Sequence, residues 1–123
     1  MTFSPEILDA LRGAEEVDIE TQAAPDAPVH RTIIWVMVDD QERVLIRSVR
    51  GSRGRWYREA LAHPNCALSV GEVDVQVRAE PAADPDRVAA ASAQLAVKYA
   101  GDPSLGSMLR ADVLETTLEL LPR

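Results

Sequence analysis

The feature that most constrains this chain is an uninterrupted apolar segment, residues 33–38, which reads Ile-Ile-Trp-Val-Met-Val. Six residues are too few to cross a membrane, since a membrane-spanning helix takes roughly 20 apolar residues. With Thr32, the segment is apolar on both faces of an extended strand, and such a strand must be covered on both sides. Residues 39–41 provide a polar turn, and residues 44–46 are apolar again. The sequence therefore predicts a β-hairpin whose first strand runs to Val38.

Alternating apolar and polar residues predict four further strands, at residues 17–21, 66–70, 73–79 and 113–121. A Gly71-Glu72 turn joins two of them as a second hairpin. Ser4-Pro5 and Asp84-Pro85 are typical helix starts, because a capping residue precedes a first-turn proline. Shorter helices are expected over residues 56–62 and 103–108. Six short strands separated by turns predict a mainly β fold, an antiparallel barrel or sheet with flanking helices.

Length, charge and cysteine count indicate the domain organisation, the partners and the compartment of the protein. A chain of 123 residues is predicted to form a single domain over residues 1–123. Its net charge of −7 makes nucleic acid and anionic membranes unfavourable partners. Cys66 has no second cysteine with which to form a disulfide, and no secretory signal opens the sequence. These features predict a cytoplasmic protein with neither a nucleic-acid nor a membrane partner.

The cationic residues are concentrated in one place, which we call the arginine segment (residues 43–58). Six of the thirteen Lys and Arg residues lie in these sixteen positions, which contain no acid. Glycines and serines separate the arginines, and a helix start is predicted directly after them. Glycine backbone, serine hydroxyls and guanidinium forks together suit an oxyanion such as phosphate. We therefore predict an anion site here; the alternative is a solvated loop whose arginines pair with Glu42, Glu59 and other acids.

Other chemistry-bearing residues fit structural roles. Trp56 follows the arginine segment's turn and could stack on a planar ligand, whereas Trp35 is expected to pack in the core or in a subunit interface. His30 and His63 lack companions at metal-ligand spacing, so no metal site is predicted. Cys66 begins an alternating strand and is expected to be a buried apolar residue. No catalytic residue can be assigned from the sequence.

Residues 44–68 resemble the pyridoxamine-phosphate-oxidase-like FMN-binding split-barrel superfamily, above all its deazaflavin-dependent nitroreductase-like branch and small uncharacterised relatives. In that branch a basic residue precedes a Trp-Tyr pair, and a leucine and an Xaa-Pro pair follow before the next strand. Arg55-Trp56-Tyr57, Leu61 and His63-Pro64 match this pattern. The family usually has asparagine where His63 stands, a difference expected to affect only the helix end.

The resemblance implies a six-stranded antiparallel split β-barrel that is usually a homodimer. It also implies a phosphate-bearing flavin-type cofactor, either FMN or a deazaflavin coenzyme. By this carry-over the phosphate ligands are Arg47, Ser48, Ser52, Arg53 and Arg55, and Trp56 lies near the cofactor.

Two functions follow as alternatives. One is a flavin- or deazaflavin-dependent oxidoreductase acting on a small molecule, in which hydride transfer at the cofactor ring requires no side-chain acid. The other is a non-catalytic split-barrel module for binding or assembly without a bound flavin. Whether the protein is an enzyme is left open by the sequence.

Overall fold

The computed structural model describes residues 2–123. Its helices are α1 (Pro5–Gly13), α2 (Arg55–Ala62), α3 (Pro85–Lys98), α4 (Leu105–Met108) and α5 (Ala111–Leu114), and a 3₁₀ turn spans Gly51–Arg53. Its strands are β1 (Val17–Thr21), β2 (His30–Ile34), β3 (Met37–Val38), β4 (Val44–Ile46), β5 (Asn65–Val70), β6 (Val73–Pro81) and β7 (Leu118–Pro122). The predicted helix starts are confirmed: Ser4 Oγ accepts from the Ile7 amide, and Asp84 accepts from the Arg87 amide.

The strands form one antiparallel sheet in the order β2-β1-β5-β6-β7-β4-β3, curled into a half-barrel. The predicted mainly β, split-barrel fold is confirmed, and so is the second predicted hairpin, β5–β6. The two ends of the sheet are consecutive in the chain, because only two residues separate β2 from β3.

The strand count is seven rather than six, because the apolar segment 33–38 is divided at Trp35 and Val36. β2 pairs with β1, with Ile34 opposite Val17, whereas β3 pairs with β4. The predicted first hairpin is thus confirmed only for β3–β4. Within the single chain β2 is not covered on both faces, since Ile33 is 64% exposed; cover of this strand by a second subunit stays a prediction.

The last strand begins later than predicted, at Leu118 rather than Val113. Residues 111–114 form the helical turn α5 instead. The hydroxyl of Thr116 donates to the Val113 carbonyl at 2.6 Å, and that of Thr117 donates to the Leu114 carbonyl at 2.7 Å. Such bonds from threonine to the backbone compete with a strand ladder, so they hold the turn closed until Leu118.

Two apolar clusters support the sheet. The larger lies inside the curl, where buried residues of α1 and α2, such as Leu8 and Trp56, pack against the strands. The smaller joins α3 and α4 to the β3–β4 end of the sheet through Met37, Leu95 and Met108. The arginine segment runs between these clusters, from β4 into α2. Within residues 2–123, none of the helices has the length and apolar character that crossing a bilayer requires.

Lys98, the only lysine of the chain, fastens the end of α3 to the sheet. Its Nζ donates to the carbonyl of Leu11 at 2.9 Å and to that of Val36 at 2.8 Å. Burial lowers the pKa of this amine from 10.5 to about 8. A cationic amine is thus enclosed where α1, α3 and the β2–β3 connection meet.

We expect the stability contribution of Lys98 to increase with pH. The unfolded chain keeps this proton up to a pKa of about 10.5, whereas the folded protein releases it near pH 8. Between these values the unfolded state binds more protons, so the free energy of unfolding rises with pH. Urea unfolding at stepped pH gives the free energy of unfolding of the wild type and of Lys98→Met. The difference between the two isolates the contribution of Lys98, because the other groups titrate in both proteins. A stability difference that stays flat from pH 8 to 10.5 contradicts the assignment.

Candidate functional site

A cavity of about 580 Å³ opens between the end of β2, the turn after β4 and the start of α2. The apolar segment 33–38 and the arginine segment both contribute to its lining. The apolar and aromatic lining residues are Ile33, Ile34, Trp35, Val49, Trp56 and Met108; the polar ones are Glu16, Thr32, Arg47, Ser48, Arg50, Arg55 and Ser104, together with Gly54. The cavity thus combines an apolar wall with three arginines.

Arg47 forms part of the cavity wall as a buried cation, 1% exposed. Its Nε donates to Thr117 Oγ1, and its Nη1 donates to Ser92 Oγ and the Met108 carbonyl, each at 3.0 Å. Its Nη2 donates to the Val88 carbonyl at 3.1 Å. All four acceptors are neutral, and Arg47 forms no ion pair within residues 2–123. Burial lowers the pKa of this guanidinium, yet arginine keeps its proton at neutral pH.

The turn after β4 is held by Ser48. Its amide donates to Thr116 Oγ1 at 3.0 Å, and its hydroxyl donates to the Gly51 carbonyl at 2.8 Å. Gly51 has a φ of +67°, a left-handed conformation that favours glycine. A Cβ at Gly54 would lie 2.5 Å from Ser48 Oγ, so only glycine fits there without displacing the serine. The backbone conformation at Gly51 and the close contact at Gly54 therefore explain why glycine occupies these two positions of the arginine segment.

Most arginines of the segment have no acidic partner. Arg43 pairs with Asp39 at 2.6 Å and Asp86 at 2.9 Å. In contrast, within the described residues no ion pair involves Arg50, Arg53, Arg55 or Arg58. The solvated-loop alternative expected pairs with Glu42 and Glu59, but these acids are near Arg12 and His30 respectively. The side chains of Arg50 and Arg55 are left available at the cavity.

The start of α2 adds backbone donors to the same region. Gly54 is the N-cap residue and has no side chain, so no side-chain acceptor caps the helix. The first N–H groups of a helix have no intrahelical partner, and the helix dipole favours an anion there. Because Gly54, Arg55 and Trp56 line the cavity, this helix start lies at its edge.

Glu59, one turn further along α2, fixes the helix to the edge of the sheet. Its buried carboxylate accepts from Thr21 Oγ1 at 2.8 Å and lies 2.8 Å from His30 Nδ1. Thr21 and His30 are directly opposite each other on β1 and β2. Since β2 and α2 form two walls of the cavity, this cluster fixes their separation.

Four of the six residues predicted to bind the cofactor line the cavity: Arg47, Ser48, Arg55 and Trp56. Ser52 and Arg53 are exposed on the 3₁₀ turn and do not line it. The side chains of Arg47 and Ser48 already donate hydrogen bonds to acceptors within the protein. Trp56 is 7% exposed and belongs to the main core, where its ring meets Tyr57 edge-on.

Ten of the lining residues were not predicted as site residues, and Arg50 and Trp35 are two of them. Arg50 lies within the arginine segment, so its spacing could have identified it. Trp35 was expected in the core or an interface; it does pack, stacking on Tyr99 with ring centroids 3.9 Å apart, but it also lines the cavity. No sequence signal placed Trp35 there, because its position depends on the break between β2 and β3.

The structure offers little for nucleophilic or metal chemistry. Cys66 is buried, and this burial raises the pKa of its thiol to about 11, so it is almost entirely protonated at neutral pH. Among residues 2–123 there is no group of three or more His, Cys, Asp or Glu side chains that could hold a metal ion.

Comparison with known proteins identifies both a sequence family and a fold family. Residues 7–120 match a family model described as "Uncharacterized protein conserved in bacteria (DUF2255)". No curated protein matches the chain.

Solved structures match over nearly the whole chain at low sequence identity. A conserved hypothetical protein of Mycobacterium tuberculosis is 16% identical with a TM-score of 0.74, over 100% of this chain and 82% of its own. The haem storage protein HutZ of Vibrio cholerae is 14% identical with a TM-score of 0.68, and the match covers 100% of this chain and 92% of HutZ. An F420-H2-dependent reductase is 13% identical with a TM-score of 0.62, and the match covers 86% of this chain and 93% of the reductase.

Further structural neighbours include a pyridoxamine-phosphate-oxidase-like protein of Listeria innocua and a NimC/NimA family protein of Clostridium acetobutylicum. The resemblance to the FMN-binding split-barrel superfamily is thereby confirmed as a likeness of fold.

We expect Arg47→Lys to destabilise the protein by on the order of 2–4 kcal/mol. An ammonium group cannot reach all four acceptors, and each buried polar group left without a partner costs roughly 1–3 kcal/mol. Urea unfolding measures the loss, with Arg58→Lys, an exposed and unpaired position on α2, as the matched control. Equal stability of the two variants would show that the Arg47 bonds do not support the cavity wall.

Proposed function

The chain belongs to the DUF2255 family of uncharacterised bacterial proteins, and we propose that it binds a phosphate-bearing flavin-type cofactor, FMN or a deazaflavin coenzyme. With that cofactor it acts as an oxidoreductase on a small molecule. The observation that carries the proposal is the cavity itself, which is lined both by aromatic and apolar side chains and by arginines that have no acidic partner within the described residues. Its volume of about 580 Å³ is within the usual range for small-molecule and cofactor sites, roughly 300–1,000 Å³.

The phosphate is assigned to the side chains of Arg50 and Arg55 and to the free N–H groups at the start of α2. Each charge-assisted hydrogen bond contributes roughly 1.5–3 kcal/mol. Arg47 supports binding through its charge, because a buried cation without an acidic partner creates a positive potential at the wall. Such a potential favours a dianionic group over a neutral one.

The ring system of the cofactor is assigned to the apolar wall formed by Ile33, Ile34, Trp35 and Met108. When bound, a flavin-type ring supplies hydride transfer, and the protein supplies binding and orientation. Burial of the ring against these side chains removes water from that side of the site. Glu16 is the only carboxylate among the cavity's lining residues in the described chain.

Haem is a less suitable ligand for this cavity. The structural neighbours include a haem storage protein, so the fold accommodates such a function in another chain. Protein-bound haem iron takes His, Cys, Met or Tyr as axial ligands. Within residues 2–123 the cavity is lined by no histidine, cysteine or tyrosine, and Met108 is the one residue of these types.

A non-catalytic module remains the second candidate, and a specific observation favours it. Two of the predicted phosphate ligands, Arg47 and Ser48, already donate to protein acceptors. A cavity maintained by such internal bonds is stable without a ligand. Under this alternative the protein folds and assembles but binds neither FMN nor a deazaflavin.

We further propose that the protein is a homodimer whose second subunit covers the open side of the cavity. Ile33 on the edge strand β2 is largely exposed, and Val29 and Val49 are exposed as well. Ile33 and Val49 also line the cavity, so burying them in an interface would enclose a ligand.

We expect static light scattering at micromolar concentration to give twice the chain mass of 13.4 kDa. Ile33→Glu should shift the mass towards that of one chain, because a buried unpaired carboxylate opposes association. Val73→Glu, at an exposed valine in the β5–β6 hairpin, is the matched control and should leave the mass unchanged. A wild-type mass of one chain contradicts the dimer.

Cofactor binding is tested by the visible spectrum of the purified protein and by fluorescence titration with FMN and a deazaflavin coenzyme. We expect micromolar binding of at least one, and a loss on the order of 100-fold in Arg55→Glu, where a cation at the phosphate becomes an anion. Arg78→Glu on β6 makes the same charge change at an exposed position outside the cavity and should bind like the wild type.

Arg53→Glu decides whether the 3₁₀ turn belongs to the site: a loss comparable to that of Arg55→Glu places Arg53 at the phosphate, and near-wild-type binding removes it. Binding of neither cofactor by the wild type overturns the oxidoreductase proposal and leaves the non-catalytic module.

A further inference from the structure

We infer that Trp35 is the residue on which the ring system of the ligand stacks, and that Tyr99 is the positioning residue that holds it there. The inference rests on the proposed function, because it identifies the element that recognises the ring portion of the same ligand. It predicts a preference for planar fused-ring ligands that is separable from phosphate recognition.

Trp35 lies between β2 and β3, where neither strand's ladder includes it. Its indole is parallel to the Tyr99 ring, with an interplanar angle of 3° and a centroid distance of 3.9 Å. The side chain is half-buried and lines the cavity. Tyr99 therefore covers one face of the indole, and the part that remains exposed lies at the cavity.

Tyr99 is itself fixed by hydrogen bonds to the backbone of Glu15 and of Val36, the residue that follows Trp35. Its hydroxyl donates to the Glu15 carbonyl at 2.8 Å and accepts from the Val36 amide at 3.3 Å. Lys98 donates to the Val36 carbonyl and lies 5.4 Å from the centre of the Tyr99 ring. Both backbone groups of the residue after Trp35 are thus held by the end of α3. An aromatic ring held in this way needs no further ordering when a ligand stacks on it.

Trp56, the other aromatic lining residue within the described chain, is less suited to this role. It is buried in the main core and packs edge-on against Tyr57, so little of its ring surface faces the cavity. Trp35 has the larger available surface, and Ile34 and Met108 flank the same apolar wall. The ring is therefore expected at Trp35, and Trp56 supports the start of α2.

The test compares three probes that separate ring from phosphate: FMN, riboflavin, which has the ring without the phosphate, and inorganic phosphate. Fluorescence titration measures the binding of the two flavins, and competition with FMN measures the binding of phosphate. In Trp35→Leu we expect FMN and riboflavin to bind roughly 10- to 100-fold more weakly, the size of an aromatic stacking contribution. The inhibition constant of phosphate, derived from its competition with FMN, should be unchanged. Trp35→Phe should recover much of the flavin affinity, because it restores a ring.

Tyr99 is tested by a readout that does not need the ligand. The stacked pair should give a tryptophan signal in the near-ultraviolet circular dichroism spectrum. Tyr99→Leu removes the stack and should abolish the signal and weaken flavin binding; Tyr99→Phe keeps the ring and should retain most of both. Val97→Ser, 76% exposed on the same helix, is the control and should match the wild type. Far-ultraviolet spectra confirm that each variant is folded.

The outcomes distinguish this inference from the proposed function. If the wild type binds FMN and Arg55→Glu does not, but Trp35→Leu binds both flavins as the wild type does, the cofactor proposal stands and the stacking role is overturned. An unchanged near-ultraviolet spectrum in Tyr99→Leu overturns the positioning role. If the wild type binds neither flavin nor a deazaflavin, the proposed function fails, and the stacking inference fails with it.

Discussion

Four elements meet at the guanidinium group of Arg47: β4, which it directly follows, and α3, α4 and the segment before β7, which supply its acceptors. Arginine is suited to this position because its planar fork offers five donors in fixed directions. The bonds join the smaller apolar cluster to the sheet at the point where the chain leaves β4 for the turn. The position of that turn, and hence of the cavity's polar side, follows from this one buried side chain.

The same cation has an electrostatic consequence. Buried charges are normally paired, since removing an ion from water costs several kcal/mol even after relaxation. Arg47 is stabilised instead by four neutral acceptors, which compensate the lost hydration without cancelling the charge. Arg50 and Arg55 add two more cations that have no acidic partner, in a chain whose net charge is −7. The unpaired cationic side chains are therefore concentrated at the cavity, which is why we propose an anionic ligand there.

The sequence predicted those parts of the fold that depend on local patterns. Capping residues and prolines gave the helix starts, and alternation gave the β5–β6 hairpin. The division of segment 33–38 was missed because it depends on tertiary pairing: one half pairs with β1 and the other with β4. The start of β7 was missed because the hydroxyls of Thr116 and Thr117 close a helical turn that alternation does not reveal. Composition identified the arginine segment, but only the fold separated Arg55, which lines the cavity, from Arg53, which does not.

That division of a single apolar segment also explains how the cavity acquires two unlike walls. Because β2 and β3 lie at opposite ends of the sheet, the two residues between them must cross the opening of the barrel. Trp35 is placed at this crossing and lines the same cavity as Arg50 and Arg55. Lys98 and Tyr99 fix the crossing from α3, and Glu59 fixes α2 to the strands β1 and β2. The elements that carry the aromatic and the cationic lining residues are thus fixed by bonds that lie outside the cavity. The ligand that we propose, with a planar ring at one end and a phosphate at the other, can contact both groups of side chains at once, whereas a simple anion can contact only the arginines.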